Sequence, residues 1–349
     1  MQQPTFDALL VLSFGGPEKP DDVIPFLENV LRGRNVPRER MLEVAEHYYH
    51  FGGKSPINDQ NRELIAALTE ELAQHQIDLP IYWGNRNWHP LLADTMQKMH
   101  DDGHRRVLVF VTSIFSSYSG CRQYREDIQK AQAQLGLEEM AFAKIRTFYN
   151  HPEFIATMAD RVRDAIAELP TEGVDQRKVL FTAHSIPNGM AENCAYEKQL
   201  QESSRLIAKA VGVEDWALVY QSRSGPPQQP WLEPDVCDAI QEIADQKSAS
   251  QLVIVPVGFV SDHMEVIYDL DDEAAKLAAE LNLPMARAKT AGVHPTFVRM
   301  IRQLVEERLG LTTEKPAIGE YGPSHDVCPV DCCRYEPRRP GPPQPTSQN

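Results

Sequence analysis

The sequence has no apolar run approaching the roughly 18 to 20 residues that a bilayer crossing needs, so a transmembrane helix is excluded from the expectations. It also lacks any GxGxxG or Walker pattern, which leaves a nucleotide cofactor without motif support. The opening MQQPTFDALLVLSFGG has no basic leader region and enters a strand-like run at once. A secretory signal is therefore not expected, and the chain is expected in the cytoplasm. Basic residues are short: 35 Lys and Arg face 50 Asp and Glu, for a net charge of -15. Nucleic-acid affinity rests on neutralising phosphates, so nucleic acid is an unexpected partner. Net charge does not say where charges lie, and peripheral contact with a membrane surface stays open. Cysteine is sparse too. Cys121, Cys194 and Cys237 stand singly, whereas Cys328, Cys332 and Cys333 crowd into CPVDCC. In a reducing compartment such crowding argues for metal rather than disulfides.

What is present is a length of 349 residues, more than one small core usually serves. Strand-length apolar runs at Ala8–Ser13, Ile81–Asn85, Val107–Thr112, Lys178–Ala183, Ala217–Gln221 and Leu252–Val257 alternate with helical periodicity. The periodic stretches are Asn61–Gln74, Glu153–Glu168, Asp235–Asp245, Glu273–Leu281 and Pro295–Leu309. That order predicts an α/β fold with parallel sheets flanked by helices. ALLVLSFGGP resembles KVLFTAHSIP, and VLVFVTSIFSSY has the layout of LVIVPVGFVSDH. Two similar halves follow, divided near the turn-rich PTEGVDQ. The expected units are residues 1–172, residues 173–315, and a cysteine-containing tail 316–349 whose proline-rich end should not pack.

Four segments carry candidate chemistry. His184 follows the strand KVLFTA, where open α/β sheets bind ligands, and imidazole accepts a proton or binds iron. Histidines at strand ends also simply bond a loop. In SDHMEVIYDLDDEAAK, a helix would put Glu265, Asp269, Asp272 and Glu273 on one face. Like charges so spaced repel, and a divalent cation would relieve them; a solvated acidic face is the plainer alternative. FGGKSPIN offers turn-forming glycines and the Ser55 hydroxyl to an anion, or merely opens a helix. SSYSGCRQYREDI offers Tyr118 and Tyr124 as flat surfaces, with Arg122 and Arg125 as carboxylate partners, or the charged face of a helix start.

LSFGGP, FGGKSPIN, TAHSIP, YQSRSGPPQQPWLEP and FVSDHMEVIYDLD together resemble the ferrochelatase family, in its order and spacing, up to about Leu311. HYYHFGGKSPIN, YWGNRNWHP and YSGCRQYREDI look most like its actinobacterial branch, similar to coproporphyrin III ferrochelatases. The resemblance implies two Rossmann-like, chelatase-like domains with a porphyrin in the cleft between them, and an enzyme inserting Fe2+ to give coprohaem. It implies His184 and Glu265 as the catalytic pair at the metal, with Asp269, Asp272 and Glu273 as the acidic track behind. Ser55 and Tyr124 match porphyrin contacts, and Phe14 stands where some relatives carry an iron-ligating tyrosine. Cys121, Cys328, Cys332 and Cys333 match the four ligands of a [2Fe–2S] cluster, although zinc would accept the same thiolates. The porphyrin is the expected partner of a monomer. A protoporphyrin IX enzyme, a cobalt or nickel chelatase of an earlier tetrapyrrole, and a non-catalytic haem-transfer protein are the rivals. Arg32 and Arg34 join Arg122 and Arg125 as candidate propionate partners.

Overall fold

A computed structural model describes residues 6–33, 36–172, 176–226 and 228–335. Arg34, part of the expected boundary turn and the whole of the proline-rich end lie outside the described residues. Among the described residues, eight strands form two parallel sheets: β1 (Ala8–Ser13), β2 (Ile81–Asn85), β3 (Arg106–Val111) and β4 (Ala141–Lys144) in one, and β5 (Arg177–His184), β6 (Trp216–Gln221), β7 (Gln251–Val255) and β8 (Met285–Arg287) in the other. Their spatial orders, β2-β1-β3-β4 and β6-β5-β7-β8, are the same arrangement used twice. The sequence repeat therefore has a structural counterpart, because ALLVLS and KVLFTA are the equivalent central strands. Every residue of β1 is buried, as are Val179 to Ala183 of β5, which is why these strands read as continuous apolar runs rather than alternating ones. The expectation missed β4 and β8, each a short edge strand without an apolar run.

The two sheets share one apolar core that includes Leu9 and Phe110 from the first and Phe181 and Val253 from the second. Helix Pro152–Glu168 packs on β7 and β8 of the second sheet. Helix Pro295–Leu309 packs back on it and on helix Ile57–Gln74. The last helix begins with proline, takes a cap from the His294 ring to the Thr296 N–H, and ends at Gly310 with φ 71°, the start and stop chemistry its sequence predicts. Its Glu307 holds Arg146 through two 2.8 Å bonds, with both side chains at 2% exposure or less. Such a pair costs desolvation and fixes geometry rather than adding much stability. Arg146 also donates to the Pro316 carbonyl at 2.9 Å, so the chain beyond the last helix is led back along the first half. Asn150 continues that anchoring through its carbonyl to Ile318 and its amide to Tyr321.

In each sheet the chain leaves the central strand to one side and returns on the other, which opens a crevice at the carboxyl ends. In the second sheet that crevice lies between β5 and β7.

Candidate active site

His184 is the last residue of β5, paired in register with Gln221 at the end of β6. Its Nδ1 bonds the Ser185 carbonyl, which only accepts, so the proton sits on Nδ1 and the Nε2 lone pair is left facing outward. The segment carrying Glu265 reaches this point because Gly258 follows β7. Its N–H donates to the Thr182 carbonyl at 3.0 Å, and a Cβ there would lie 2.8 Å from the Ala183 Cα. Only glycine permits that approach of two backbones. The Glu265 carboxylate then stands 3.8 Å from His184 Nε2, and 3.9 Å from Nδ1 of His263. The side chains of His184 and Glu265 are 32% and 52% exposed, open to the crevice.

His263 is a site residue that reading by residue type passed over, although it lies within the quoted FVSDHMEV. It is partly buried, its side chain 21% exposed, and that burial pushes its imidazole below the ordinary range while the Glu265 charge pulls it back. Tyr48, brought from the first half, is partly buried within range of the Glu265 charge; burial and that charge both raise its phenol. Neither residue has a sequence signal apart from its place in a quoted segment.

The acidic stretch differs from the expected α-helix. After a short turn at Met264–Val266, residues Ile267–Ala274 wind as a π-helix. An i→i+5 turn takes more than four residues, so steps of four keep Glu265, Asp269 and Glu273 on one side while a step of seven leaves it. Asp272 accordingly pairs with Lys276 at 2.7 Å and faces His50 of helix Arg38–His50 at 3.5 Å. The Lys276 hydrogen bond holds its carboxyl below the usual range. Asp269 behaves in the opposite way: burial, with the charges of Glu265 and Glu273, raises its carboxyl to about 7 against the hydrogen bonds of Ser222 and Gln221. Burial also raises Glu273. Three carboxylates thus lie on one side of this segment, Asp269 part-buried between the exposed Glu265 and Glu273, whose charges both bear on it.

The remaining expectations fall in other places. Ser55 is 2% exposed, tucked under the loop after β1 with its N–H donating to the Pro17 carbonyl at 2.9 Å. Tyr124 is 5% exposed and lies under the Arg86 guanidinium, 4.6 Å from ring centre, while Arg86 also faces Phe14 at 5.9 Å. Arg86, itself bonded to Asp127 at 2.5 Å, is thus a cation beside the β1 loop that the sequence analysis did not single out. Arg122 pairs with Glu126 at 2.6 Å, and both Arg122 and Arg125 reach the tail. Arg122 donates to the Val330 and Cys332 carbonyls at 2.9 and 3.0 Å, and Arg125 to that of Pro329 at 3.4 Å. The carbonyls of the CPVDCC turn are what these guanidiniums satisfy.

That turn brings the four predicted thiols together. Cys121, in a π-turn at Tyr118–Arg122, lines a cavity of about 280 Å³ with Cys328, Cys332 and Cys333. The Cys332 and Cys333 sulfurs are 3.5 Å apart. A hydrogen bond from Cys328, aided by Lys144 and Arg125, lowers the Cys121 thiol against its burial. Donor atoms of His325, Cys328 and Cys332 lie within 4.8 Å of one another. Soft donors converging from two distant segments suit a soft metal centre. Cys237 stands apart, whereas Cys194 lies within range of the charges of Cys121 and Cys332; burial raises both thiols.

Residues 6–309 match the family model described as Ferrochelatase. A ferrochelatase of Rhodopirellula baltica is 64% identical over 97% of this chain and 96% of its own. A coproporphyrin III ferrochelatase of Streptomyces coelicolor is 51% identical over 96% of this chain and 95% of its own, and one of Nocardia farcinica 49% identical over 96% and 98%. Among solved structures, the sirohydrochlorin chelatase SirB of Bacillus subtilis subspecies spizizenii, in complex with cobalt, superposes with a TM-score of 0.51. It covers 87% of this chain and 95% of its own at 12% identity, a likeness of fold alone.

Proposed function

This chain belongs to the ferrochelatase family, and on that premise we propose that it inserts ferrous iron into coproporphyrin III, with His184 and Glu265 as the catalytic pair. The observation that carries the reading is their approach to 3.8 Å at the crevice of the second sheet. The choice of porphyrin is supported by relatives of about 50% identity that bear the coproporphyrin name.

Insertion removes two pyrrole N–H protons, strips water from the ion and requires the nitrogen lone pairs to turn out of the ring plane. A crevice that holds the macrocycle bent supplies that last need from binding energy. His184, its Nδ1 committed to Ser185, presents an Nε2 lone pair that takes a pyrrole proton or holds the arriving iron. Glu265 faces it, and the Asp269 and Glu273 oxygens behind replace the ion's waters in steps. Asp272 stands at the outer flank of this row, with His50 and Lys276. Ser55 and Tyr124 support the porphyrin wall from beneath, one seating the β1 loop and the other backing Arg86. On the expected division, residues 1–172 carry the first sheet and residues 173–315 the second, whose crevice holds the catalytic pair.

Cys121, Cys328, Cys332 and Cys333 would hold a [2Fe–2S] cluster; their convergence on one cavity fits four thiolate ligands. Such a cluster supplies a rigid covalent cross-link between the first half and the tail, since insertion transfers no electrons. The protein is read as a cytoplasmic monomer; among the described residues no helix is long and apolar enough to cross a membrane.

The test is an anaerobic insertion assay with coproporphyrin III and protoporphyrin IX side by side. The expected result is a kcat/KM at least about tenfold higher for coproporphyrin III, as two extra charge-assisted contacts would give. Equal rates would remove the substrate assignment, and binding of metalloporphyrin without any insertion would remove the activity.

A further inference from the structure

β6 ends in Gln221, and the next residue, Ser222, has a φ of 60°. A left-handed conformation is rare for a residue with a side chain and persists only where its surroundings fix it. Glycine would fill the position without strain. What the serine supplies is its hydroxyl, which donates to Oδ2 of Asp269. Its neighbour Gln221 is fully buried, and its amide donates to the same oxygen at 3.2 Å and to the Glu265 carbonyl at 3.3 Å. The Gln221 carbonyl in turn accepts the N–H of Ser185, the residue whose own carbonyl orients His184. One corner of the chain therefore touches the backbone that aims the imidazole, the backbone that carries Glu265, and the carboxylate of Asp269. The Gln221 Oε1 is buried with no partner among the described residues, so its amide is turned to serve the π-helix rather than its own satisfaction.

We propose that Ser222 and Gln221 are positioning residues for iron transfer: held in a strained corner, they lock the Asp269 carboxylate in line between Glu265 and Glu273. The inference rests on reading Asp269 as part of the iron path. A π-winding is easily changed back to α by a one-residue adjustment, which would rotate Asp269 away from its neighbours. Two donors on one of its oxygens oppose that rotation and leave the other oxygen free for the ion.

The experiment measures KM for ferrous iron, KM for coproporphyrin III, kcat and thermal stability of wild type, Ser222→Gly, Ser222→Ala, Asp269→Asn and the Ser222→Gly/Asp269→Asn double variant. Loss of a hydrogen bond to a charged group predicts an iron KM raised about tenfold in both serine variants. Porphyrin KM and kcat at saturating iron should stay within about twofold. Ser222→Gly should melt at or above wild type, because it relieves the strain. That combination, a stabilised protein with weaker iron use, is not what a merely structural serine would give. In the Asp269→Asn background, Ser222→Gly should add nothing. Wild-type iron KM in Ser222→Gly alongside a raised value in Asp269→Asn would overturn the positioning role and leave the path standing. An unchanged Asp269→Asn would overturn both. An effect in Ser222→Gly that Ser222→Ala does not share would trace it to backbone freedom and overturn the hydroxyl's role.

Discussion

The third strand of each half runs into a π-turn: β3 leads to Tyr118–Arg122, and β7 leads to Ile267–Ala274. The two turns occupy equivalent places in a repeated fold and carry opposite chemistry. The first presents Cys121, 5% exposed and covered by the CPVDCC turn that Arg122 pins down. The second presents Glu265, Asp269 and Glu273, with Glu265 half exposed to the crevice. Soft donors line a partly covered pocket, with Cys121 and Cys333 buried; hard oxygen donors line an open row. A covered pocket suits a group that stays, and an open row suits an ion that passes. The scaffold sets where a ligand set stands, and the side chains alone decide whether it retains or delivers.

The comparison breaks most sharply at His184, which has no imidazole counterpart in the first half, where the repeat sets Phe14 in its place. His184→Ala should lower kcat/KM for iron insertion by roughly 100- to 10,000-fold, the usual range for a positioned base. Near-normal insertion in a steady-state anaerobic assay would remove the second half's claim to the chemistry. On the other side, Cys121→Ala should abolish acid-labile sulfide and visible cluster absorbance in the protein as isolated, while coproporphyrin affinity stays within about twofold. A cluster that survives this change would mean the first turn is not a ligand site.

Gly258 tests why the second row is placed where it is. Gly258→Ala puts a Cβ 2.8 Å from the Ala183 Cα, a contact with backbone that cannot swing aside. Overpacking of this kind costs about 1 to 3 kcal/mol, readable as a lowered denaturant midpoint. Insertion should fall as well, since the Glu265 segment and the β5 end separate. A variant with unchanged stability would show that the close approach is not required.

The repeat and the central strands were legible because buried parallel strands must be written as apolar runs, so ALLVLS and KVLFTA could be matched before any coordinates. Edge strands such as Met285–Arg287 carry too few buried residues to leave that mark. That His184 would stand at a strand end was legible, because the apolar run KVLFTA leads straight into it. The row behind Glu265 was legible only as far as α-helical geometry allowed: residue types revealed the carboxylates, but π-winding depends on tertiary contacts and moved Asp272 to the flank. Arg122 and Arg125 show the same limit. A guanidinium beside tyrosines satisfies distant carbonyls as readily as a ligand's carboxylates, and only the return of the tail to residues 328–333 decides between them. Ser222 left no signal, because a positive φ at serine is a property of the folded corner and not of its sequence.

The smallest expected effect contrasts two histidines. His184 stands at the crevice, whereas His151 of the first half is fully buried, its Nδ1 accepting the Glu153 N–H to cap helix Pro152–Glu168. Burial first, and the charge of Arg146 second, lower the His151 imidazole to about 3. The folded protein thus keeps it neutral where the unfolded chain, titrating near 6.5, takes up a proton. The unfolded state binds more protons throughout that window, so stability falls as pH drops from about 6.5 toward 3. By pH 5 the loss from this one group reaches about 2 kcal/mol. His151→Asn keeps a capping oxygen and removes the titration, so its urea-unfolding free energy should decline less between pH 7 and pH 5 than that of wild type. Parallel declines would show that His151 is not the neutral imidazole its burial requires, and the contrast between a buried histidine in one half and a crevice histidine in the other would lose its first member.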